Sequence, residues 1–202
     1  MTTPEAIAAF TALFVIIDPI GLTPIFTALT SGLSPRARRT IALRACGVAA
    51  GILLLFALAG EAVLGFLGIS MPAFRIAGGL LLFLTALEML FERRTRRRED
   101  KAEVPVDDPS VFPLALPLIA GPGAIATVIL LTDGADAPAT LAVLGVLAAV
   151  LAMVLLFFQL AAPMERMLGA TGINVVTRVL GMLLAALSVQ FVLDGLRDLA
   201  LW

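Results

Sequence analysis

The chain has 202 residues, of which 60% are hydrophobic and only 14% are charged, and its formal net charge is −1. Soluble proteins average roughly 45–50% apolar and about 25% charged residues, so a water-soluble fold of this length could not bury so much apolar side chain. The chain has no His, no Tyr and a single cysteine, Cys46, which excludes the usual zinc ligands, His-centred catalysis and an intramolecular disulfide. We therefore expect a polytopic membrane protein that is not an enzyme and holds no cofactor or metal.

Apolar runs long enough to cross a bilayer, about 20 residues each, occur six times in the sequence. They cover 6–30, 43–66, 72–92, 111–132, 138–161 and 175–199. The stretch between the third and fourth runs, Arg93–Ser110, is charged and contains prolines, which is typical of a solvated linker. The sequence thus predicts an all-α membrane protein with six transmembrane helices: three at 1–92, a charged cytoplasmic linker at 93–110, and three more at 111–202.

The basic residues predict the orientation of these spans. They lie almost entirely in alternate loops, at Arg36, Arg38, Arg39, Arg44, Arg93, Arg94, Arg96, Arg97, Arg98, Lys101 and Arg166. Because cytoplasmic loops carry the excess of Lys and Arg, these loops should be cytoplasmic and both termini should lie outside. The N-terminal stretch "MTTPEAIAAF" has no basic region, so a cleavable signal peptide is not expected.

The two halves of the sequence resemble each other. "EAVLGFLGIS" at 61–70 and "ERMLGATGIN" at 165–174 share Glu, Leu-Gly and Gly-Ile at the same spacing, and "DPIG" at 18–21 corresponds to "GPGA" at 121–124. Since each half holds an odd number of spans, the second half must enter the membrane from the opposite side. The sequence predicts a 3+3 inverted-topology repeat, a design in which secondary transporters bind solute near the midplane, where broken helices meet.

Helix-breaking residues stand at matching depth in the two halves. Asp18 and Pro19 lie near the middle of the first run, and Gly121 and Pro122 lie near the middle of the fourth. Pro interrupts the hydrogen bonding of a continuous helix, and Asp followed by Pro is the sequence of a new helix start. Pro24 adds a further interruption. We therefore expect helices one and four to be broken near the midplane and to share a central cavity.

The chemistry of these breaks suits a small zwitterion. Asp18 supplies the one carboxylate that the predicted spans place at the midplane, where a charge costs about 2.5–3.5 kcal/mol. A helix that starts at Pro122, between two glycines, exposes N–H groups that suit an anion. The ammonium of a zwitterion would lie near Asp18 and its carboxylate near Gly121 and Gly123. The alternative for Asp18 is a purely structural N-cap.

Hydroxyl groups in the spans could line the same cavity. They belong to Thr23, Thr27, Thr85, Thr127 and Ser188. The alternative for each is a hydrogen bond to a carbonyl of its own helix. Three glycines, Gly78, Gly79 and Gly181, instead predict close packing between helices.

Two arginines outside the basic loops need acidic partners. Ser70 and Asn174 resemble the N-caps of spans three and six, and a cation in the first turns of a helix opposes the helix dipole. An acidic residue ends the preceding helix in each half and is the natural partner. The predicted pairs, which would staple the fold near the two membrane faces, are Arg75 with Glu61 and Arg178 with Glu165.

The motif "DPIGLTPIF" at 18–26, the basic loop after the first span and "PLIAGPGAI" at 117–125 together resemble the MarC family of integral membrane proteins. The resemblance covers essentially the whole chain. It implies a six-span protein of the bacterial inner membrane. Relatives of the SnatA type imply transport of small neutral amino acids such as glycine and alanine, coupled to protons. The motif residues carried over by position are Asp18, Pro19, Gly21, Pro24, Gly121, Pro122 and Gly123.

These observations favour a secondary transporter that moves a small neutral amino acid by alternating access. Its partners would be a zwitterionic solute, a coupling ion (H⁺ or Na⁺) and the lipid bilayer, with no role for nucleic acid. The predicted solute-binding residues are Asp18, Pro19, Gly21, Thr23, Thr85, Gly121, Pro122, Gly123 and Ser188. Asp18 would orient the ammonium or carry the coupling proton. Two alternatives stay open: a passive channel for small solutes, and an efflux protein for amphiphilic drugs linked to multiple antibiotic resistance.

Overall fold

The computed structural model describes residues 1–91 and 108–199, and every regular element within them is helical. The helices are α1 (Thr3–Ile17), α2 (Pro19–Leu29), α3 (Pro35–Phe66), α4 (Met71–Leu90), the irregular segment α5 (Ser110–Ile119), α6 (Pro122–Thr132), α7 (Ala137–Gln159) and α8 (Ala161–Asp198). The predicted linker at 93–110 lies outside the described residues, except for its last three positions.

The prediction of an all-α polytopic membrane protein is confirmed. Within the described residues, five candidate spans are long and apolar enough to cross a bilayer: Thr3–Leu29, which contains α1 and α2, together with α3, α4, α7 and Met167–Asp198 of α8. The pair α5 and α6 makes a sixth span when it is counted as one, and its two parts meet at 56°. The fourth predicted span, which consists of α5 and α6, is therefore sharply bent at the position that the prolines and glycines predict.

Helix starts follow the local sequence, with one error in the predictions. Ser70 caps α4 as expected, because its hydroxyl oxygen accepts the Ala73 N–H at 3.4 Å. The prediction that Asn174 caps the sixth span is wrong, because Asn174 lies inside α8. The break comes earlier, at Gly169 with φ 60° and ψ 174°. Glycine adopts a positive φ without the steric cost of a Cβ, so the helix has resumed before Asn174 is reached.

The first span lies at the centre of the bundle. Of its apolar stretch, 61% is buried within the protein, compared with 22% for the span in α8. Around it, α1 and α2 pack against α7, while α5 and α6 pack against α3. In the same way α2 contacts α8 and α6 contacts α4, and α3 contacts α7. Each of these contacts has a counterpart when the two halves are exchanged, whereas the contact of α1 with α8 has none of similar extent. This pattern is expected of an inverted repeat, although the repeat itself stays a prediction.

Close packing between α4 and α8 depends on small residues, as the glycines predict. A Cβ added to Gly79 would lie 2.8 Å from the carbonyl oxygen of Ser188, and one added to Gly181 would lie 2.9 Å from Cβ of Met89. Neither distance is tolerated between real atoms. The two helices therefore approach each other more closely than larger side chains would allow.

Ion pairs join residues that the span count places on the same side of the membrane. The Arg75 guanidinium contacts Asp133 at 2.9 Å and also contacts Asp198. The prediction that Glu61 pairs with Arg75 is wrong, because Glu61 is exposed. The packing of α4 against α6 and α8 instead brings the ends of those two helices to Arg75. The predicted pair of Arg178 with Glu165 lies outside the described residues, because it involves the side chain of Glu165. The Arg75 cluster therefore connects the first half of the chain to the second.

A second ion pair fixes the start of the second half. The carboxylate of Asp108 accepts the Ser110 hydroxyl at 2.6 Å and the Ser110 N–H at 3.0 Å, and it pairs with Arg44 of α3. These hydrogen bonds from Ser110, together with the Arg44 cation, hold the pKa of Asp108 below its ordinary range. The charged form of Asp108 is thus the one that holds α5 against α3.

We expect Arg75→Gln to lower the melting temperature of the purified protein. The side chains of Arg75 and Asp133 are 22% and 23% exposed, so the loss should fall between that of a surface pair and that of a buried pair, at about 1–2 kcal/mol. The control is Arg197→Gln, since Arg197 is 71% exposed and pairs only within α8 among the described residues. Equal melting temperatures for the two variants would contradict an inter-half role for Arg75.

We expect the stability contributed by Asp108 to depend on pH. Because its pKa is lower in the folded state, this contribution is present above the unfolded pKa, at about 4, and is lost as the pH falls through the folded value. Melting temperatures of the wild type and Asp108→Asn should therefore differ by a steady margin near neutral pH, and the margin should shrink in acid. If the difference in melting temperature instead grew as the pH fell, folding would not lower the pKa of Asp108.

Candidate solute-binding site

Asp18 forms the junction between α1 and α2. Its backbone has φ 58° and ψ 64°, and among the described residues it is the single non-glycine residue with a positive φ. Asp is one of the few residues that adopt this left-handed conformation at modest cost. Its carboxylate Oδ1 accepts the Gly21 N–H at 3.1 Å, so Asp18 is the N-cap of α2. The predicted break in helix one and its cap are both present.

Proline sets the depth of this break. Pro19 and Pro24 have no N–H, so they cannot donate to the carbonyl groups of Val15 and Ile20, one turn earlier. Irregular backbone of this kind survives at membrane depth only where it is buried in protein or lines a water-filled cavity. Asp18 satisfies the first condition, since none of its surface is exposed. The protein, rather than lipid, surrounds the Asp18 side chain.

Gly21 leaves room for the carboxylate. A Cβ added at Gly21 would lie 2.2 Å from Oδ2 and 2.8 Å from Cγ of Asp18. No side chain other than hydrogen fits there while the carboxylate keeps its position. The glycine of the "DPIG" motif is therefore explained by the Asp18 side chain and not by an unusual backbone conformation of its own.

The second interruption has different local chemistry. Phe112 and Leu116 of α5 have extended backbone angles, and each precedes a cis peptide bond to proline. The chain then passes Gly121, which has φ −81° and ψ 169° and offers no side chain to cap α6. The first backbone bond of α6 runs from the Ile125 N–H to the Gly121 carbonyl at 3.0 Å. The N–H groups of Gly123 and its neighbour therefore precede the hydrogen-bond ladder of α6.

The two interruptions meet. A Cβ added at Gly123 would lie 3.4 Å from Cγ2 of Ile16 and 3.1 Å from Cδ2 of Leu82. The first turn of α6 therefore contacts the residue two positions before Asp18. The structure thus places the start of α6 beside α1 close to the Asp18 junction, while a shared solute site at this place stays a prediction. It also adds Ile16 and Leu82, which are ordinary apolar residues without a distinguishing pattern in the sequence.

The predicted hydroxyl groups all donate within their own helices. Thr23 donates to the Pro19 carbonyl at 3.1 Å, Thr85 to Leu81 at 2.9 Å, and Ser188 to Ala185 at 2.7 Å. In the same way, Thr27 donates to the Thr23 carbonyl at 3.2 Å, and Thr127 donates to the Gly123 carbonyl at 2.8 Å. Their donors are used, although each oxygen can still accept a hydrogen bond. Thr23 lies one turn into α2, whereas Thr85 and Ser188 lie on the outer pair α4 and α8.

Taken together, the spans and the buried, interrupted pair define an integral multi-pass membrane protein with a polar centre. The family model for MarC family integral membrane proteins matches residues 3–200. The chain therefore belongs to the MarC family, as the motifs predict.

Relatives of similar length support this membership. The chain is 40% identical to a UPF0056 membrane protein of Archaeoglobus fulgidus over 95% of this chain and 92% of the relative. It is 38% identical to a UPF0056 membrane protein of Aquifex aeolicus over 96% of this chain and 92% of the relative. It is 37% identical to one of Methanocaldococcus jannaschii over 95% of each chain. No solved structure matches the chain significantly.

We expect Gly21→Ala to destabilise the protein by about 1–3 kcal/mol, as overpacking does in a well-packed core. The new methyl group would displace the Asp18 carboxylate or the start of α2. Gly47→Ala is the matched control, because Gly47 lies in α3 and has no neighbour within 4 Å of an added Cβ. That change should be neutral or stabilising, since Ala favours helix over Gly. Melting temperatures that fall equally in both variants would contradict the proposed fit between Gly21 and Asp18.

Proposed function

We propose that this protein is a secondary transporter of small neutral amino acids, of the glycine and alanine class, that works by alternating access of its two halves. The coupling ion is H⁺ or Na⁺. The proposal includes a cytoplasmic membrane location with both termini on the periplasmic side, because the basic loops all fall on the opposite side of the predicted spans.

The observation that carries this proposal is the meeting of the two interruptions. A buried carboxylate on one half and the first N–H groups of α6 on the other offer opposite charges to a common solute. An ammonium group pairs with a carboxylate, and a helix N-terminus with its partial positive charge suits an anion. An amino acid carries both groups on one carbon. The choice of glycine and alanine follows from the resemblance of the motifs to SnatA-type relatives.

The burial of Asp18 supports alternating access over a permanent pore. A channel that conducts solute in its resting state needs a continuous wet path, so a charged group on that path would be exposed to water. Asp18 instead has no exposed surface. A solute can reach it only if the halves move apart, and the matching contacts of the two halves would let one half move against the other in either direction.

Asp18 has two functional alternatives in this proposal. As an anion it would hold the ammonium group of the solute directly. As a proton carrier it would be protonated from one side of the membrane and would release the proton to the other, since neutralising a buried carboxylate removes most of its desolvation cost. Both alternatives need the negative charge, whereas a purely structural N-cap needs only a hydrogen-bond acceptor.

Substitution by Asn separates charge from capping, because Asn caps helices about as well as Asp. We expect wild-type protein in proteoliposomes to take up labelled alanine or glycine with saturation, and Asp18→Asn to lower the initial rate by roughly tenfold or more, as the loss of a charged contact does. The melting temperature should change little in comparison, because the Gly21 N–H keeps its acceptor.

Asp136→Asn is the matched control. Asp136 also caps a helix, through an acceptor bond from the Ala139 N–H at 2.8 Å, but it is exposed. This variant should transport at the wild-type rate. Full uptake by Asp18→Asn would remove the charge from the mechanism, and uptake by the wild type that fails to saturate would favour a channel. Failure of the wild type to move any amino acid would remove this solute class.

A further inference from the structure

A pocket with mixed apolar and basic lining opens at the end of the bundle where α2 ends and α3 begins, away from the Asp18 site. Its volume is about 200 Å³, which is below the roughly 300–1,000 Å³ typical of clefts for drug-sized ligands. Both halves contribute to it. The lining residues are Phe26, Leu33, Pro35, Arg38, Arg39, Ala42, Phe158 and Gln159.

Stacked aromatic rings hold one guanidinium of this pocket in place. The rings of Phe26 and Phe158 lie parallel within 6°, with centroids 4.3 Å apart. The guanidinium carbon of Arg38 lies 5.6 Å from the centroid of the Phe26 ring, within the range of a cation–π contact. The planar donor group is therefore positioned before any ligand arrives, which lowers the entropy cost of binding.

The charge of the pocket is positive. Within the part of the chain that the structure describes, no carboxylate pairs with Arg38 or Arg39, in contrast to Arg44 and Arg75. The helices α2 and α7 both end here, and each C-terminus adds a partial charge of about −0.5, whereas the N-terminus of α3 adds about +0.5. These helix ends together contribute a net charge of about −0.5, which the two positive charges of Arg38 and Arg39 exceed. Gln159, from α7 of the other half, adds an amide that can donate to an anion.

From these contacts we propose that the pocket binds a phosphate group. Two guanidinium groups and an amide line this pocket and match the oxygens of a phosphate, to which Arg donates in bidentate fashion. The pocket lies where α2 ends and α3 begins, at the level of the predicted cytoplasmic membrane surface. The phosphate therefore comes either from an anionic lipid headgroup of that leaflet or from a soluble phosphate compound. An occupant would bridge the two halves of the chain, and its binding does not depend on amino acid transport.

The test uses the full-length protein purified in mild detergent and stripped of lipid. Native mass spectrometry with an equimolar mixture of phosphatidylglycerol and phosphatidylcholine measures headgroup preference, and thermal shift with inorganic phosphate measures binding of a soluble anion. The variants are the double change Arg38→Gln with Arg39→Gln, and Arg38→Lys, which keeps the charge but loses the planar fork. Arg36→Gln is the control, because Arg36 belongs to the same basic loop but does not line the pocket.

A lipid source predicts that the wild type and Arg36→Gln retain phosphatidylglycerol preferentially, and that the double variant loses this preference by roughly tenfold. Arg38→Lys should lose part of it, because Lys keeps the charge but cannot donate in bidentate fashion. A soluble source predicts no lipid preference but a phosphate-dependent rise in melting temperature that the same two variants lose. The proposal is overturned if neither ligand is preferred, if Arg36→Gln loses as much as the double variant, or if Arg38→Lys binds like the wild type. The Arg38→Lys variant keeps the test informative if the double variant does not fold.

Discussion

The structure depends on one hydrogen bond between a buried carboxylate and a backbone amide. Asp18 is fully buried in the first span and accepts the Gly21 N–H at 3.1 Å. This bond starts α2 immediately after α1 has ended, and it compensates part of the cost of burying the charge. Pro19 prevents a continuous helix, and Gly21 has no side chain that would displace the carboxylate. Asp18, Pro19 and Gly21 of the motif therefore have one physical purpose, which is to hold an acid inside an apolar bundle.

The second half of the chain brings a helix start close to the junction that carries this acid. α6 begins at a glycine without a capping side chain, and its first turn lies against Ile16, two residues before Asp18. The bend of 56° between α5 and α6 directs this helix start toward the centre of the bundle. Around this centre, the Arg75 cluster joins the two halves at one end of the bundle, and the stack of Phe26 on Phe158 joins them at the other. The contacts between halves thus lie on both sides of the buried acid.

Local chemistry made much of this predictable from the sequence. The breaks at Asp18 and Gly121 follow from proline, capping and glycine preferences that act over one helical turn. The partners of Arg75 could not be found in this way, because they depend on which helix ends the packing brings together, and Glu61 was only a near neighbour in the sequence. The prediction that Asn174 is an N-cap was wrong for a related reason. Gly169 and Gly172 both precede it, and the sequence does not tell which of them adopts the positive φ. Long-range contacts, and the choice between two glycines that could each interrupt a helix, can be determined only from the packed structure.

The most direct measurement of the central claim is a disulfide cross-link between the two interrupted spans. In a protein whose Cys46 is replaced by Ser, Ile16→Cys and Gly123→Cys should bond on mild oxidation. An added Cβ on Gly123 lies 3.4 Å from Cγ2 of Ile16, which is one bond away from the Ile16 Cβ, and disulfides join Cβ atoms about 3.5–4.5 Å apart. Ile16→Cys with Gly47→Cys should stay reduced, since an added Cβ on Gly47 has no neighbour within 4 Å. Efficient formation of the first cross-link alone is the predicted result. Failure of the first pair to bond, or equal bonding by both pairs, would contradict the meeting of the buried acid and the start of α6.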